Sequence, residues 1–192
     1  MRPVTLGFAM TGSFCTHAPV LRCLRQLRET YPNIVPILSE NAYFLDSRFG
    51  PARDRIAELE DLCGRSVLKS IPEVESLGPS APLDLLIVAP CTGNTLAKLA
   101  AGIADTAVTF ACKAHLRNAR PVLLSVSTND GLAAAARNIG DLLNRKHYFF
   151  VPFGQDDPEK KPASLTADLS RLPAAVEAAL QGIQLQPFII HQ

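Results

Sequence analysis

Apolar residues gather along this chain in two patterns. Some form short unbroken runs: Val4 to Met10, Ile34 to Leu38, Leu83 to Ala89, Pro121 to Val126 and Tyr148 to Val151. Runs of this length bounded by turn residues predict strands buried on both faces. Between them, apolar residues recur every three or four positions. Val20, Leu21, Leu24 and Leu27 share one helical face, Arg22, Arg25 and Arg28 lie elsewhere, and Pro32-Asn33 ends the pattern. Ile56, Leu59 and Leu62 predict a helix over Ala52 to Leu62, with Gly64 as its stop. Further helices are expected over Thr92 to Ile103, Ala107 to Leu116, Leu132 to Leu143 and Leu165 to Leu180. Residues 65–82, mixed and rich in Pro and Ser, predict a connector with a short strand near Val67, and the polar segment 152–163 predicts a loop.

Alternating strands and helices imply an α/β protein, a three-layer Rossmann-like parallel sheet with helices on both faces. No repeat or long linker divides the 192 residues, so one domain over 1–192 is expected. Its last part, 152–192, forms a loop, a helix and an apolar tail. The tail either finishes the chain's own core or packs on a neighbouring subunit.

Composition narrows the function. Hydrophobic residues make up 47%, which excludes a disordered chain. Lys and Arg number 19 against 18 Asp and Glu, a net charge of +1, which argues against a nucleic-acid binder. Five cysteines (Cys15, Cys23, Cys63, Cys91, Cys112) are odd in number and hold no C-x-x-C pair, so neither a disulfide framework nor a zinc site is expected. A reducing cytoplasm suits them. No apolar run reaches the roughly 18 residues of a membrane helix. The N-terminal run breaks at Thr11-Gly12-Ser13, so it reads as a first strand rather than a signal peptide.

Ligands of an open parallel sheet bind at the carboxyl ends of its strands. Four such ends carry small polar residues: Thr11-Gly12-Ser13, Ser39-Glu40-Asn41, Cys91 to Thr95, and Ser125 to Asn129. The first turn precedes a helix, where a glycine admits close backbone approach and free N–H groups favour an anion. A phosphate on Gly12 and Ser13 with Ser39 is one reading; a plain helix cap is the other. No G-x-G-x-x-G or Walker A loop occurs. Asn94 can both donate and accept toward a planar ring or a carboxylate, while Thr92 and Thr95 either cap the helix or also bind a ligand. His17, in the first helical turn, is open between a polar structural residue and a catalytic one. Cys91 reads as a small core residue.

Ala89-Pro90-Cys91-Thr92-Gly93-Asn94-Thr95-Leu96-Ala97-Lys98-Leu99-Ala100, continued by Gly102-Ile103-Ala104-Asp105, resembles the A-P-x-[ST]-A-N-T-x-A-K-x-A-x-G-x-[AS]-D signature of the superfamily of FMN-dependent cysteine decarboxylases and flavin prenyltransferases. The usual Ala before Asn is Gly93 here. The P-x-M-N-x-x-M clasp of the decarboxylases corresponds to Val126 to Leu132, where only Asn129 survives. Those enzymes also use a histidine in their third segment. None of His17, His115, His147 and His191 falls within 47–70, which counts against oxidative decarboxylation of a cysteine.

A narrower likeness covers nearly the whole chain. Arg48-Phe49-Gly50, Leu77-Gly78-Pro79, Pro82-Leu83-Asp84, Thr92-Gly93-Asn94, Arg117-Asn118, Ser127-Thr128-Asn129-Asp130, Gly154-Gln155-Asp156-Asp157-Pro158 and Leu185-Gln186-Pro187 resemble the B-chain family of two-component dipicolinate synthases of spore-forming bacteria. That resemblance implies a flavoprotein-type fold and an oxidoreductase subunit acting on a small, partly reduced ring diacid. Its A chain would carry NAD(P), and it would work in the cytoplasm of the mother cell. It also implies self-association as a trimer or a multiple of one, with flavin sites shared between subunits. Carried over from the superfamily, FMN would meet Gly12, Ser13, Phe14 and Ser39 with its phosphate. Thr92, Asn94, Thr95, Ser127 and Asn129 would meet the remainder. Asn94 and Arg48 are the catalytic candidates, Arg48 because a guanidinium pairs well with a carboxylate; a solvated turn arginine is the alternative. Three functions stay open: a working FMN subunit, a non-catalytic partner that presents substrate from a vestigial flavin pocket, and a stand-alone decarboxylase or prenyltransferase. No metal is expected.

Overall fold

The computed structural model describes residues 3–77 and 83–190. Seven strands run in chain order: β1 (Thr5–Met10), β2 (Asn33–Leu38), β3 (Leu85–Cys91), β4 (Val122–Thr128), β5 (Tyr148–Phe150), β6 (Phe153–Asp157) and β7 (Lys161–Ala167). The helices are α1 (His17–Thr30), α2 (Glu40–Phe44), α3 (Ala52–Cys63), α4 (Ile71–Glu75), α5 (Gly93–Ala101), α6 (Ala107–Leu116), α7 (Ala136–Leu143) and α8 (Leu172–Leu180). The connector expected over 65–82 holds α4, and its residues 78–82 lie outside the described residues. The short strand expected near Val67 is a single parallel bridge, Leu68 to Ile37.

The first five strands are parallel and lie in the order β2-β1-β3-β4-β5. Every residue of β3 is buried, and β1, β2 and β4 are buried almost throughout. Full burial of each Leu, Ile or Val contributes about 1.5–3 kcal/mol, so these four strands anchor the fold. Helices cover both faces: α1 packs with α8, and α5 packs with α6 and α7. Pro90 does not end β3. The strand runs on to Cys91 through a register shift against β4 between Val88 and Cys91, an irregularity that suits a residue with no N–H to donate.

The end of the chain departs from expectation. Residues 152–163 are not a loop, and residues 165–167 are not helical. β6 and β7 form an antiparallel hairpin, and β7 pairs with Ser127 and Thr128 of β4. The reason lies in β4: the three-residue β5 pairs only with Val122 to Leu124. The outer edge of β4 beyond that point needs hydrogen-bond partners, and β7 supplies them. The closing helix starts only at Leu172, with Pro173 in its first turn, where a missing N–H costs nothing. Gly131 lets the hairpin sit close, since a Cβ there would lie 2.6 Å from Leu165 Cγ. The helix expected over Leu132 to Leu143 begins at Ala136, after a series of turns. Within the apolar tail, Phe188 packs on the chain's own core, its ring meeting Phe153 at 4.9 Å and Phe150 at 5.9 Å edge to face, while Ile189 stands exposed.

Candidate functional site

The strand order reverses between β1 and β3: β2 follows β1 on one side, while β4 extends from β3 on the other. Chains leaving such a point part to opposite faces and leave a crevice at the strand ends. Thr11, buried at the end of β1, braces this crevice. Its hydroxyl donates to the Pro90 carbonyl at 2.8 Å and accepts from the Thr92 N–H at 3.2 Å. Thr92 in turn caps α5 by accepting from the Thr95 N–H at 3.2 Å. Ser39, at the end of β2, caps α2 by accepting from Ala42 at 3.3 Å.

Two spaces open here and share Thr92 and Asn94. The smaller, about 240 Å³, holds Gly12, Ser39, Thr95 and Lys98. The larger, about 740 Å³, holds Ser13, Ser127, Asn129, Arg48, Asp130 and Lys161. The fold therefore gathers Gly12, Ser13, Ser39, Thr92, Asn94, Thr95, Ser127, Asn129 and Arg48 around one crevice. Ser13 and Ser127 hydroxyls meet at 2.8 Å across it, joining the ends of β1 and β4.

Phe14 lines neither space. Its ring packs on His17 with centroids 5.2 Å apart, and the Arg55 guanidinium lies 5.2 Å from it. Its N–H is also taken, donating to the Gly12 carbonyl at 2.9 Å. A side chain that follows so tight a turn folds back beneath it rather than into the crevice. His17 is likewise turned inward. Its Nε2 bonds the Thr11 carbonyl at 2.6 Å, and its buried Nδ1 has no partner among the described residues. Burial lowers its pKa to about 4, so it is a neutral brace for the turn at neutral pH.

Cys91 is wholly buried, and burial pushes its thiol well above the ordinary value. It packs as core. Asp105 pairs with Lys98 at 2.8 Å, and that contact holds its carboxyl below the usual range. Arg120 bonds the Leu83 carbonyl and faces Asp84 at 3.9 Å, at the opposite end of the sheet.

The larger space has a wall that strand-end reasoning did not reach. The hairpin places Asp156, Lys161, Leu165 and Thr166 along it. Lys161 pairs with Asp156 at 2.6 Å. Arg48 has no carboxylate partner among the described residues; its guanidinium rests 4.9 Å from the Phe49 ring centroid. Gly93 is a second missed position. A Cβ there would lie 2.6 Å from Thr128 Oγ1 and 2.8 Å from Asp130 Oδ1. Gly93 and Thr128, two of the places where the chain departs from the decarboxylase pattern, thus meet in space.

The donor set suits a phosphate monoester joined to a flat polar ring. A Cβ on Gly12 would meet nothing nearer than Asn41 Cβ at 3.7 Å, so its backbone stands open to a ligand. Ser39, Thr92 and Thr95 hydroxyls and the start of α5 surround the small space, as a phosphate needs. The larger space falls within the usual range for cofactor and substrate sites.

The family model described as Flavoprotein matches residues 1–155. The B subunit of dipicolinate synthase from Bacillus subtilis (strain 168) is 42% identical over 185 residues, covering 96% of this chain and 92% of that protein. The crystal structure of the B subunit of dipicolinate synthase from Bacillus halodurans C superposes with a TM-score of 0.90 at 37% identity, covering 100% of both chains. A dodecameric FMN-dependent Ubix-like decarboxylase from Escherichia coli O157:H7 superposes at 0.60 with 30% identity, covering 78% of this chain and 80% of that one. A family match over residues 1–155 and a fold shared over the whole length have a plain reading: the chain belongs to the Flavoprotein family and is a relative, within it, of the B subunits of dipicolinate synthases.

Proposed function

We propose that this chain is the B subunit of a two-chain dipicolinate synthase. It would act with a nicotinamide-dependent A chain to oxidise a dihydro- or hydroxytetrahydro-dipicolinate to the aromatic diacid. The observation that carries the reading is the pair of spaces joined at Thr92 and Asn94, one ringed by hydroxyls and a helix start, the other polar and holding a cation with no carboxylate partner among the described residues. Arg48 binds one substrate carboxylate with its guanidinium fork. Asn94, at the junction, hydrogen-bonds the ring or a carboxylate from the first turn of α5. FMN fits the same residues: its phosphate among Gly12, Ser39, Thr92 and Thr95, its ring beside Ser127 and Asn129. When bound, a flavin supplies a two-electron acceptor suited to aromatising a reduced ring.

Self-association follows the same reading. Phe44, Leu45 and Phe49 stand largely exposed around Arg48, and a neighbouring copy would cover them. Nothing in the crevice calls for a membrane, and no helix among the described residues is long and apolar enough to cross one. We place the protein in the cytoplasm of the sporulating mother cell.

The test measures dipicolinate formation by the A chain with its nicotinamide cofactor, first with flavin-stripped B chain and then with FMN added. Activity that needs both the B chain and FMN supports a working flavin subunit. Full activity with the stripped chain removes the flavin and leaves a substrate-presenting partner. Activity of the A chain alone defeats the proposal.

A further inference from the structure

Away from the crevice, the last turn of α5, the outer face of α6 and the turn before β5 enclose a further cavity of about 330 Å³, within the usual range for a small-ligand site. It shares Thr109 with the smaller space and no residue with the larger. Leu99, Ile103, Ala104 and Leu116 give it apolar walls, and Ile103 stands exposed. Lys113, Arg145 and Lys146 line it too, and no described Asp or Glu does.

Cations near helix ends commonly answer free carbonyls, but here that duty is already filled. Arg145 donates to the Leu99 and Ala100 carbonyls. The Gly102 and Ile103 N–H groups donate to the Leu99 and Lys98 carbonyls, and the Asn118 amide donates to the Ala114 carbonyl of α6. The ammonium groups of Lys113 and Lys146 meet no carboxylate among the described residues. Tyr148 adds a neutral donor. Burial pushes its phenol well above the ordinary value, so it keeps its proton, and its hydroxyl has no hydrogen-bond partner among the described residues. An unmet donor and two unpaired cations around an apolar floor call for an anionic acceptor with an apolar body.

We propose that this cavity is a binding site for a small carboxylate with an apolar body. The body lies against Leu99, Ile103 and Leu116. The carboxylate accepts from the Tyr148 hydroxyl and is drawn by Lys113 and Lys146. The cavity lies at the carbonyl ends of α5 and α6, not at a helix start rich in free N–H groups, which suits a single negative charge better than a phosphate. The site is independent of what the crevice binds.

The probes are 2-naphthoate and naphthalene-2-methanol, which share a body and differ in charge. Binding of each to the full chain is measured by titration calorimetry for wild type, Tyr148→Phe, the double variant Lys113→Gln/Lys146→Gln and Ile103→Asp. Wild type should bind naphthoate roughly tenfold or more tighter than the alcohol, the scale of one hydrogen bond to a charged group. Tyr148→Phe and the double lysine variant should each lose most of that preference. Ile103→Asp, which puts a carboxylate on the apolar wall, should abolish naphthoate binding. Circular dichroism checks that each variant is folded. Ile103, Lys113 and Lys146 are exposed, so the variants at those positions keep the test open if Tyr148→Phe does not fold. No naphthoate binding by wild type, equal affinity for acid and alcohol, or an affinity for naphthoate unchanged in both the double lysine variant and Ile103→Asp overturns the inference.

Discussion

Replacing Thr11 with valine removes one hydroxyl and keeps the shape of the side chain. That hydroxyl makes two hydrogen bonds, to the Pro90 carbonyl at 2.8 Å and from the Thr92 N–H at 3.2 Å, and Thr11 is 2% exposed. The Pro90 carbonyl is buried and the Thr92 N–H partly so. Leaving buried polar groups unmet costs about 1–3 kcal/mol each, so Thr11→Val should destabilise by about 3 kcal/mol. For a chain of this size that is a fall in Tm of about 6–12 °C. Thr11→Ser keeps the hydroxyl, loses only a methyl group and should recover most of the loss. The assay is thermal unfolding followed by circular dichroism, with urea melts to check that the m-value is unchanged. A Thr11→Val protein melting within 2 °C of wild type, on the scale of about 2–4 °C per kcal/mol, would show that the brace between β1 and β3 carries no energy.

His17 and His115 have folded pKa values of about 4, set chiefly by burial, against 6.5 for a free histidine. The unfolded chain therefore binds protons that the folded chain refuses. Stability should fall as pH drops from 6.5 toward 4, by up to about 3 kcal/mol for each histidine, and level off below. Urea midpoints measured across that window should show the fall, and a flat profile between pH 6.5 and 5 would contradict the burial of both rings. Arg48→Ala should weaken binding of pyridine-2,6-dicarboxylate by about tenfold or more with no change in Tm, because Arg48 holds no structural ion pair among the described residues. Calorimetry showing an unchanged affinity would remove Arg48 from the site. Gly131→Ala drives a methyl group into Leu165, 2.6 Å away, and should cost about 1–3 kcal/mol. Adding Leu165→Ala should return part of it, and additive losses in the urea melts would rule out the clash.

The parallel strands were legible because burial on both faces writes them as plain apolar runs; Leu85 to Val88 in β3 has no polar residue to confuse the pattern. From there the strand-end residues followed, since in a parallel sheet a residue just past a strand is at the crevice wherever the strand lies. The hairpin was not legible. Gln155, Asp156 and Asp157 are polar and at least partly exposed, and β7 opens with the exposed pair Lys161 and Pro162, so its strand character comes from the unpaired edge of β4. With it went the wall bearing Lys161 and Asp156. α2 escaped notice because five residues are too few to show a period. Phe14 lines neither space, and its position after the turn does not say which way the ring folds. Gly93 stood out in the sequence as a change from alanine, but its reason, the approach of Thr128 and Asp130, exists only once two distant segments meet.

The crevice has two builders with different histories in the chain. The smaller space comes from β1, β2 and β3, deep inside the stretch that the family shares. The facing wall of the larger space comes from a hairpin whose second strand begins at Lys161, beyond residue 155 where the shared stretch stops. A change in that hairpin can reshape the larger space while leaving the groups of the smaller one in place. Selection can therefore act on the larger space more freely than on the smaller, and an engineer could exchange Phe153 to Ala167 between relatives as a cassette.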